Sequence, residues 1–370
     1  MSRAFIPGLE LAEHYYTEIV GPIVDEALDG APYAAALIGY GSEVQGYDTL
    51  RSTDHAWGPR VQILLDDDGR DGRDDSGRAA RVEAALERSL PREFRGHPVR
   101  FAFPAGAPDR HWVEVLDTRA FFTAKLNAGP DGGLTAAQWL LVPTQTLREL
   151  TAGAVFRDDT GLLTRYRAEL AWYPDDVWRY VLACQWQRVS QEEAFVGRCG
   201  EVGDDLGSAL VTARLVRDLM RLCMLMSRVY PAYSKWLGTA FAALPSAEKL
   251  GPVLSGALRA QTWRAREDYL AVAYELVASQ HNALDLTEPL DGSARPYHGR
   301  PFRVLHAERF TEALLATVAD PAIRTLPPVG AVDQYVDSTD LTDHNHAARR
   351  RRYLTGPPLP TGSSGNAARG

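Results

Sequence analysis

Residues 34–61 read AAALIGYGSEVQGYDTLRSTDHAWGPRV, and the character of the chain changes twice along this stretch. Ala34 to Tyr40 is a short apolar run that stops at the turn-forming pair Gly41-Ser42, which reads as a buried strand ending in a tight turn. A second apolar run, Val61-Gln62-Ile63-Leu64-Leu65, follows the turn-like Trp57-Gly58-Pro59 and reads as the next strand. Upstream, Leu11, Tyr15, Ile19, Ile23 and Ala27 recur at helical spacing across 9–28, with Gly30 near the end of that segment. Downstream, 79–90 reads as a helix, and 99–103 and 112–116 alternate as half-buried strands do. The order helix, strand, strand, helix, strand, strand predicts a small α/β or α+β unit ending near residue 122. Between the second strand and the second helix, DDDGRDGRDDSG at 66–77 has no apolar residue to bury and reads as a solvated loop.

Beyond this unit the period changes. Residues 165–189, 206–230, 234–244, 260–279 and 306–318 all carry apolar residues at helical spacing. The strongest window, LGSALVTARLVRDLMRLCMLMSRVY at 206–230, is stopped by Pro231, and its Leu, Met and Cys positions read as bundle core. The expected fold class is therefore α+β, a small mixed sheet with helices followed by an all-helical bundle. The expected units are 1–125, 126–344 and a disordered basic, Pro-, Gly- and Ser-rich tail at 345–370. With 370 residues, of which 45% are hydrophobic, the chain is long enough for two cores.

A net charge of −8 provides no general positive field, so duplex DNA is not an expected partner. No apolar run approaches a membrane span and the N-terminus lacks a signal-peptide core, so a cytosolic protein is expected. Cys184, Cys199 and Cys223 fit neither a disulfide framework nor a metal motif. Positive charge is almost all arginine; lysine occurs only at Lys125, Lys235 and Lys249.

The residues around the first two strands suit one chemistry. Nucleotidyl transfer needs a tight turn whose backbone can approach phosphates, and carboxylates that hold divalent ions over the reacting group. Gly41 permits that approach, Ser42 offers a hydroxyl to a phosphate oxygen, and Asp54, just ahead of the second strand, is a hard oxygen ligand. Asp54 after Ser52-Thr53 also suits a turn or cap.

Gly41-Ser42, then an aspartate with eleven residues between it and the serine, resembles the nucleotidyltransferase superfamily that includes kanamycin nucleotidyltransferase and polymerase beta. The longer stretch GYGSEVQGYDTLRSTDHAWGPR, with AWYPDDVWRYVLACQWQRVSQEEAF and PAYSKWLGTAF at 231–241, is similar to the bacterial family called domain of unknown function 4037. The resemblance implies a nucleotidyltransferase-like domain ahead of a helical domain. It also implies a Mg2+ ion, a nucleoside triphosphate with ATP foremost, and transfer of a nucleoside monophosphate to a small-molecule or protein acceptor. Ser42 and Lys235 would contact phosphates, with Gly41 in the turn and Asp54 on the metal. Glu114 or Asp117 would supply the remaining carboxylate. Arg60 would either grip a phosphate or pair with Asp48 or Asp54, and Asp48 is a further metal candidate. One position departs from the superfamily: a second carboxylate is expected two residues after the first, and Ala56 stands there. His55 is a nearby substitute in principle. Two rival readings follow, a nucleotide-binding module that no longer turns over and a helical interaction module with a decayed α/β unit.

Overall fold

A computed structural model describes residues 5–54, 56–66, 75–103 and 106–342. His55, most of the acidic loop, His344, His346 and the tail at 345–370 lie outside the described residues.

The chain opens with α1 (Gly8–Tyr15), a π turn (Tyr16–Val20) and α2 (Gly21–Leu28), run together end to end. Pro22 has no N–H to give to the carbonyl four residues back, which accounts for the wide turn just before it. Asp29 (φ 52°) and Gly30 (φ 73°) end the segment in the left-handed region. β1 (Ala34–Leu37) and β2 (Arg60–Leu65) follow, and α3 (Asp75–Ser89) leads to the short strands β3 (Glu93–Phe94), β4 (His97–Pro98) and β5 (Arg100–Phe101) and the long β6 (Arg110–Asp117). Of the strand expected at 99–103, only β5 forms.

After α4 (Thr118–Leu126), α5 (Ala136–Leu141) and α6 (Thr144–Thr151), the chain returns to the sheet as β7 (Ala154–Asp158). The sheet order is β5-β6-β2-β1-β7. Only β2 and β6 run parallel within it, and α3 supplies the crossover that such a pair requires. β7 was not anticipated from sequence and lies past the expected unit boundary at 125. It is short, sits between helical segments, and enters through Gly153 (φ 75°), where a Cβ would stand 2.1 Å from the Leu37 carbonyl oxygen.

The sheet's two faces belong to different cores. Val61, Ile63, Leu65 and Val113 pack with Tyr15, Val24, Leu28, Val82 and Leu86 beneath α1 to α3. Ala34, Ala36, Ile38 and Leu64 face the other way and join Phe122, Trp139, Leu147 and Leu150 in a core that continues without interruption into the helices. Those helices are α7 (Leu162–Glu169), α8 (Asp175–Glu192), α9 (Phe195–Glu201), α10 (Asp205–Met226), α11 (Leu237–Ala242), α12 (Ala247–Arg259), α13 (Trp263–Asn282) and α14 (Glu308–Ala316). The window expected as one helix at 165–189 is two, because Pro174 forces the extended break from which α8 starts. α12 was not anticipated. No described helix is long and apolar enough to cross a membrane.

Candidate functional site: a cleft between sheet and helices

Two residues after β1 the backbone turns sharply. Gly39 (φ 89°) and Gly41 (φ 134°) adopt conformations that side chains oppose, and a Cβ on Gly41 would lie 2.6 Å from the Glu43 carboxylate. Glu43 is buried and pairs with Arg60, the first residue of β2, at 2.7 Å, both side chains being out of solvent. Arg60 also donates to the Ala56 carbonyl at 3.0 Å and lies over the Tyr40 ring, 4.4 Å from its centroid. Burial pushes the Glu43 carboxyl above its ordinary range, and Arg60 pulls against that shift. The Gly41-Ser42 turn is therefore clamped from below by a buried ion pair.

Main-chain bonds tie this turn to the helical side. Gly39 N–H donates to the Glu149 carbonyl at 2.9 Å and Gly153 N–H to that of Val44 at 3.0 Å. α6 thus lies against the segment after β1. Its Arg148 donates through Nε to Gln45 Oε1, and through Nη2 to the Tyr47 hydroxyl at 2.6 Å. Gln145 donates to Glu149 at 2.8 Å and accepts from the Tyr233 N–H at 3.1 Å, which brings the stretch before α11 to the same place. Tyr47 and Trp236 meet at 5.1 Å, and Lys235 lies 4.8 Å over the Trp236 ring.

These elements enclose an open cleft of about 860 Å³, within the range of small-ligand sites. Gly41, Ser42, Asp54, Arg60, Glu114 and Lys235, all expected from sequence, line it together. β2 and β6 pair Gln62 with Glu114 and Arg60 with Trp112, so Glu114 and Trp112 share the Arg60 face of the sheet. Arg51 and Arg110 add positive charge to the lining, and Glu43 and Glu149 add carboxylates.

Two expected site residues are not among those lining it. Asp117 caps α4, its carboxylate accepting the Ala120 N–H at 2.6 Å, and it pairs with Leu65 on the opposite face of the sheet. Asp48 accepts from the Gly8 N–H at 2.7 Å and from the Trp57 indole at 2.9 Å, fastening α1 to the turn before β2. Arg60 pairs with Glu43 rather than with Asp48 or Asp54. Asp54 closes a single 3₁₀ turn (Leu50–Asp54) and is exposed, and Ala56 is left-handed at φ 49°, so the two positions do not project from one strand face.

Glu43, Gln45, Arg110, Gln145, Arg148 and Glu149 were not singled out from sequence. The i, i+4 pair Gln145 and Glu149, polar neighbours on one face of α6, was the available signal. A second, more apolar cavity of about 450 Å³ is lined by Leu126, Leu134, Trp139, Tyr166 and Leu170, and none of the expected site residues reaches it.

The architecture defines the class of protein plainly: an α+β chain whose mixed sheet and helical bundle share a polar cleft. Residues 139–237 match the family model described as a domain of unknown function (DUF4037). The match takes in α6, Tyr233, Lys235 and Trp236 and leaves out the Gly41-Ser42 turn and β2. Among solved structures, the chain is similar to a nucleotidyltransferase-like protein from Exiguobacterium sibiricum at 12% identity, over 84% of this chain and 91% of that one. The TM-score is 0.31, a likeness too loose to bear on function. A comparison with curated protein sequences finds no match.

Proposed function

We propose that the cleft binds a nucleotide, a nucleoside triphosphate with ATP foremost, and that the chain works as a nucleotide-binding module. The observation that carries this reading is the meeting, in one cleft, of the Gly41-Ser42 turn with Arg51, Arg60, Arg110 and Lys235 and with aromatic rings on both the sheet and helical sides. The donor set does not fit a two-ion magnesium centre. Among the described residues no three His, Cys, Asp or Glu side chains group as metal ligands, Asp48 and Asp117 are engaged elsewhere, and Ala56 brings a methyl group.

The second reading, nucleoside monophosphate transfer to a small-molecule or protein acceptor, keeps one specific support: Asp54 and Glu114 line the same cleft. Calorimetric titration of a non-hydrolysable ATP analogue separates the two. The binding-module reading expects affinity that survives chelation of magnesium and survives Asp54→Ala. Affinity lost in both conditions favours transfer, and no heat with any nucleoside triphosphate sinks both. A companion assay follows transfer in Ala56→Asp, since aspartate tolerates a left-handed backbone. Turnover in that variant alone marks the native chain as a binder.

A further inference from the structure

We propose that the Gln45–Tyr47–Trp236 end of the cleft holds the base of the bound nucleotide and that the Tyr40–Arg60–Trp112–Arg110 end holds its phosphates. The inference rests on the nucleotide reading above and assigns the two ends of that site.

At the sheet end the ring surfaces are already in use. Arg60 covers Tyr40 at 4.4 Å and approaches Trp112 at 6.0 Å, Arg110 lies 4.1 Å over Trp112, and Phe101 stacks on Trp112 at 5.1 Å with an interplanar angle of 18°. Two guanidiniums held against aromatic faces leave little ring surface for a base; Arg60 is committed to Glu43 and to the Ala56 carbonyl, and Arg110 presents the planar, forked donor that suits phosphate oxygens.

At the helical end Arg148 lies over the Tyr47 ring at 5.5 Å, and the ring offered to a ligand is that of Trp236. Tyr47 and Trp236 are half-buried, and the cation over Trp236 is the exposed ammonium of Lys235, on a flexible stem that an incoming ring can displace. Arg148 fixes the neighbouring groups by donating to Gln45 Oε1 and to the Tyr47 hydroxyl. That bond settles which way the Gln45 amide faces and leaves its Nε2 as the remaining group, a buried donor with no acceptor among the described residues. A nucleobase supplies both missing parts, a flat π surface for Trp236 and an edge acceptor for Gln45. A polyphosphate supplies only acceptors, and an aliphatic acceptor molecule supplies no ring.

The test is calorimetric titration of the full chain with ATP and, separately, with inorganic tripolyphosphate. The native chain is expected to bind both. Trp236→Leu is expected to weaken ATP about tenfold or more, on the scale of base–aromatic stacking, while tripolyphosphate affinity stays within about twofold. Gln45→Met, which keeps the side-chain volume and removes the donor, is expected to act in the same direction and serves if Trp236→Leu does not fold. Arg110→Gln is expected to weaken both ligands together. Equal loss of ATP and tripolyphosphate in Trp236→Leu and Gln45→Met, or no loss of either, overturns the assignment while leaving the cleft a nucleotide site. A native chain that binds neither ligand removes the nucleotide reading itself.

Discussion

Gly41 is the residue whose replacement has the most direct expected consequence. At φ 134° an alanine is strained on backbone grounds alone, and its Cβ would also press to within 2.6 Å of the Glu43 carboxylate and push it off Arg60. Gly41→Ala is expected to cost about 2 kcal/mol in urea unfolding and to weaken ligand binding, whereas Ser42→Ala should leave stability within about 0.5 kcal/mol. The Glu43–Arg60 pair makes a sharper case. Removing Glu43 alone strands a buried guanidinium, so Glu43→Ala is expected to cost about 3–5 kcal/mol, while the double replacement Glu43→Met with Arg60→Met costs less than that single one. A double variant at least as unstable as Glu43→Ala would show that an unpaired buried guanidinium is not what makes the single replacement costly. At this scale the sequence was informative where a residue type has few uses. Glycine and serine at a strand end, and lysine in a chain with three lysines, drew attention to positions that line the cleft. Carboxylates were harder to read. An aspartate serves equally as ligand, helix cap or main-chain tether, and Asp117 and Asp48 took the second and third of these roles through partners 3 and 40 residues away.

α6 is the element that carries the helical wall of the cleft, and its first turn is held from the far end of the chain. The Asp333 carboxylate accepts the Thr144 N–H at 2.9 Å, so Asp333→Ala is expected to lower stability by about 1 kcal/mol, as loss of a helix cap does. Increased hydrogen exchange confined to 144–151 would locate the effect. A second staple lies between α8 and α9, where the buried Glu193 carboxylate accepts the N–H groups of Leu305 and Ala307 at 2.7 and 3.0 Å. Burial raises the Glu193 carboxyl to about 7 from an ordinary 4.5. The folded chain therefore keeps a proton that the unfolded chain gives up. That contribution to stability is present in full below about pH 4.5 and is lost as pH rises toward 7. His281 works in the opposite sense. Burial lowers it to about 4 from 6.5, so its contribution is present above about pH 6.5 and is lost as pH falls toward 4. Glu193→Gln is expected to gain on the native chain by up to about 3 kcal/mol between pH 4.5 and 7, read from urea midpoints; a gap constant with pH would contradict the assignment. Element types were legible from period and from proline and glycine, as in α2 and α10. Boundaries were not, and neither was β7, since five residues entering a sheet through Gly153 carry too short a pattern to stand out among helices.

Across the whole molecule, the core that begins on Ala34, Ala36 and Leu64 runs on through Trp139 and Trp178 to Tyr274 and Phe310. β7 comes from beyond residue 125 and pairs with β1. We therefore expect a fragment of residues 1–125, which leaves β1 with an open edge, to lack a cooperative thermal transition, while the full chain melts in a single one. Two independent transitions, or a folded 1–125 fragment, would contradict a shared core. The α+β class was legible because the hydrophobic period switches between the two halves of the chain. The continuity between the halves was not, because it depends on contacts between residues more than a hundred positions apart. The central claim, that the cleft between sheet and helices is a nucleotide site, is tested most directly by hydrogen–deuterium exchange of the full chain with and without ATP. Protection is expected to rise together in 39–54, 144–151 and 231–237, three segments distant in sequence that meet at this cleft. Protection absent from these segments, or gathered instead around 126–134 and 165–174 at the apolar cavity, would contradict it.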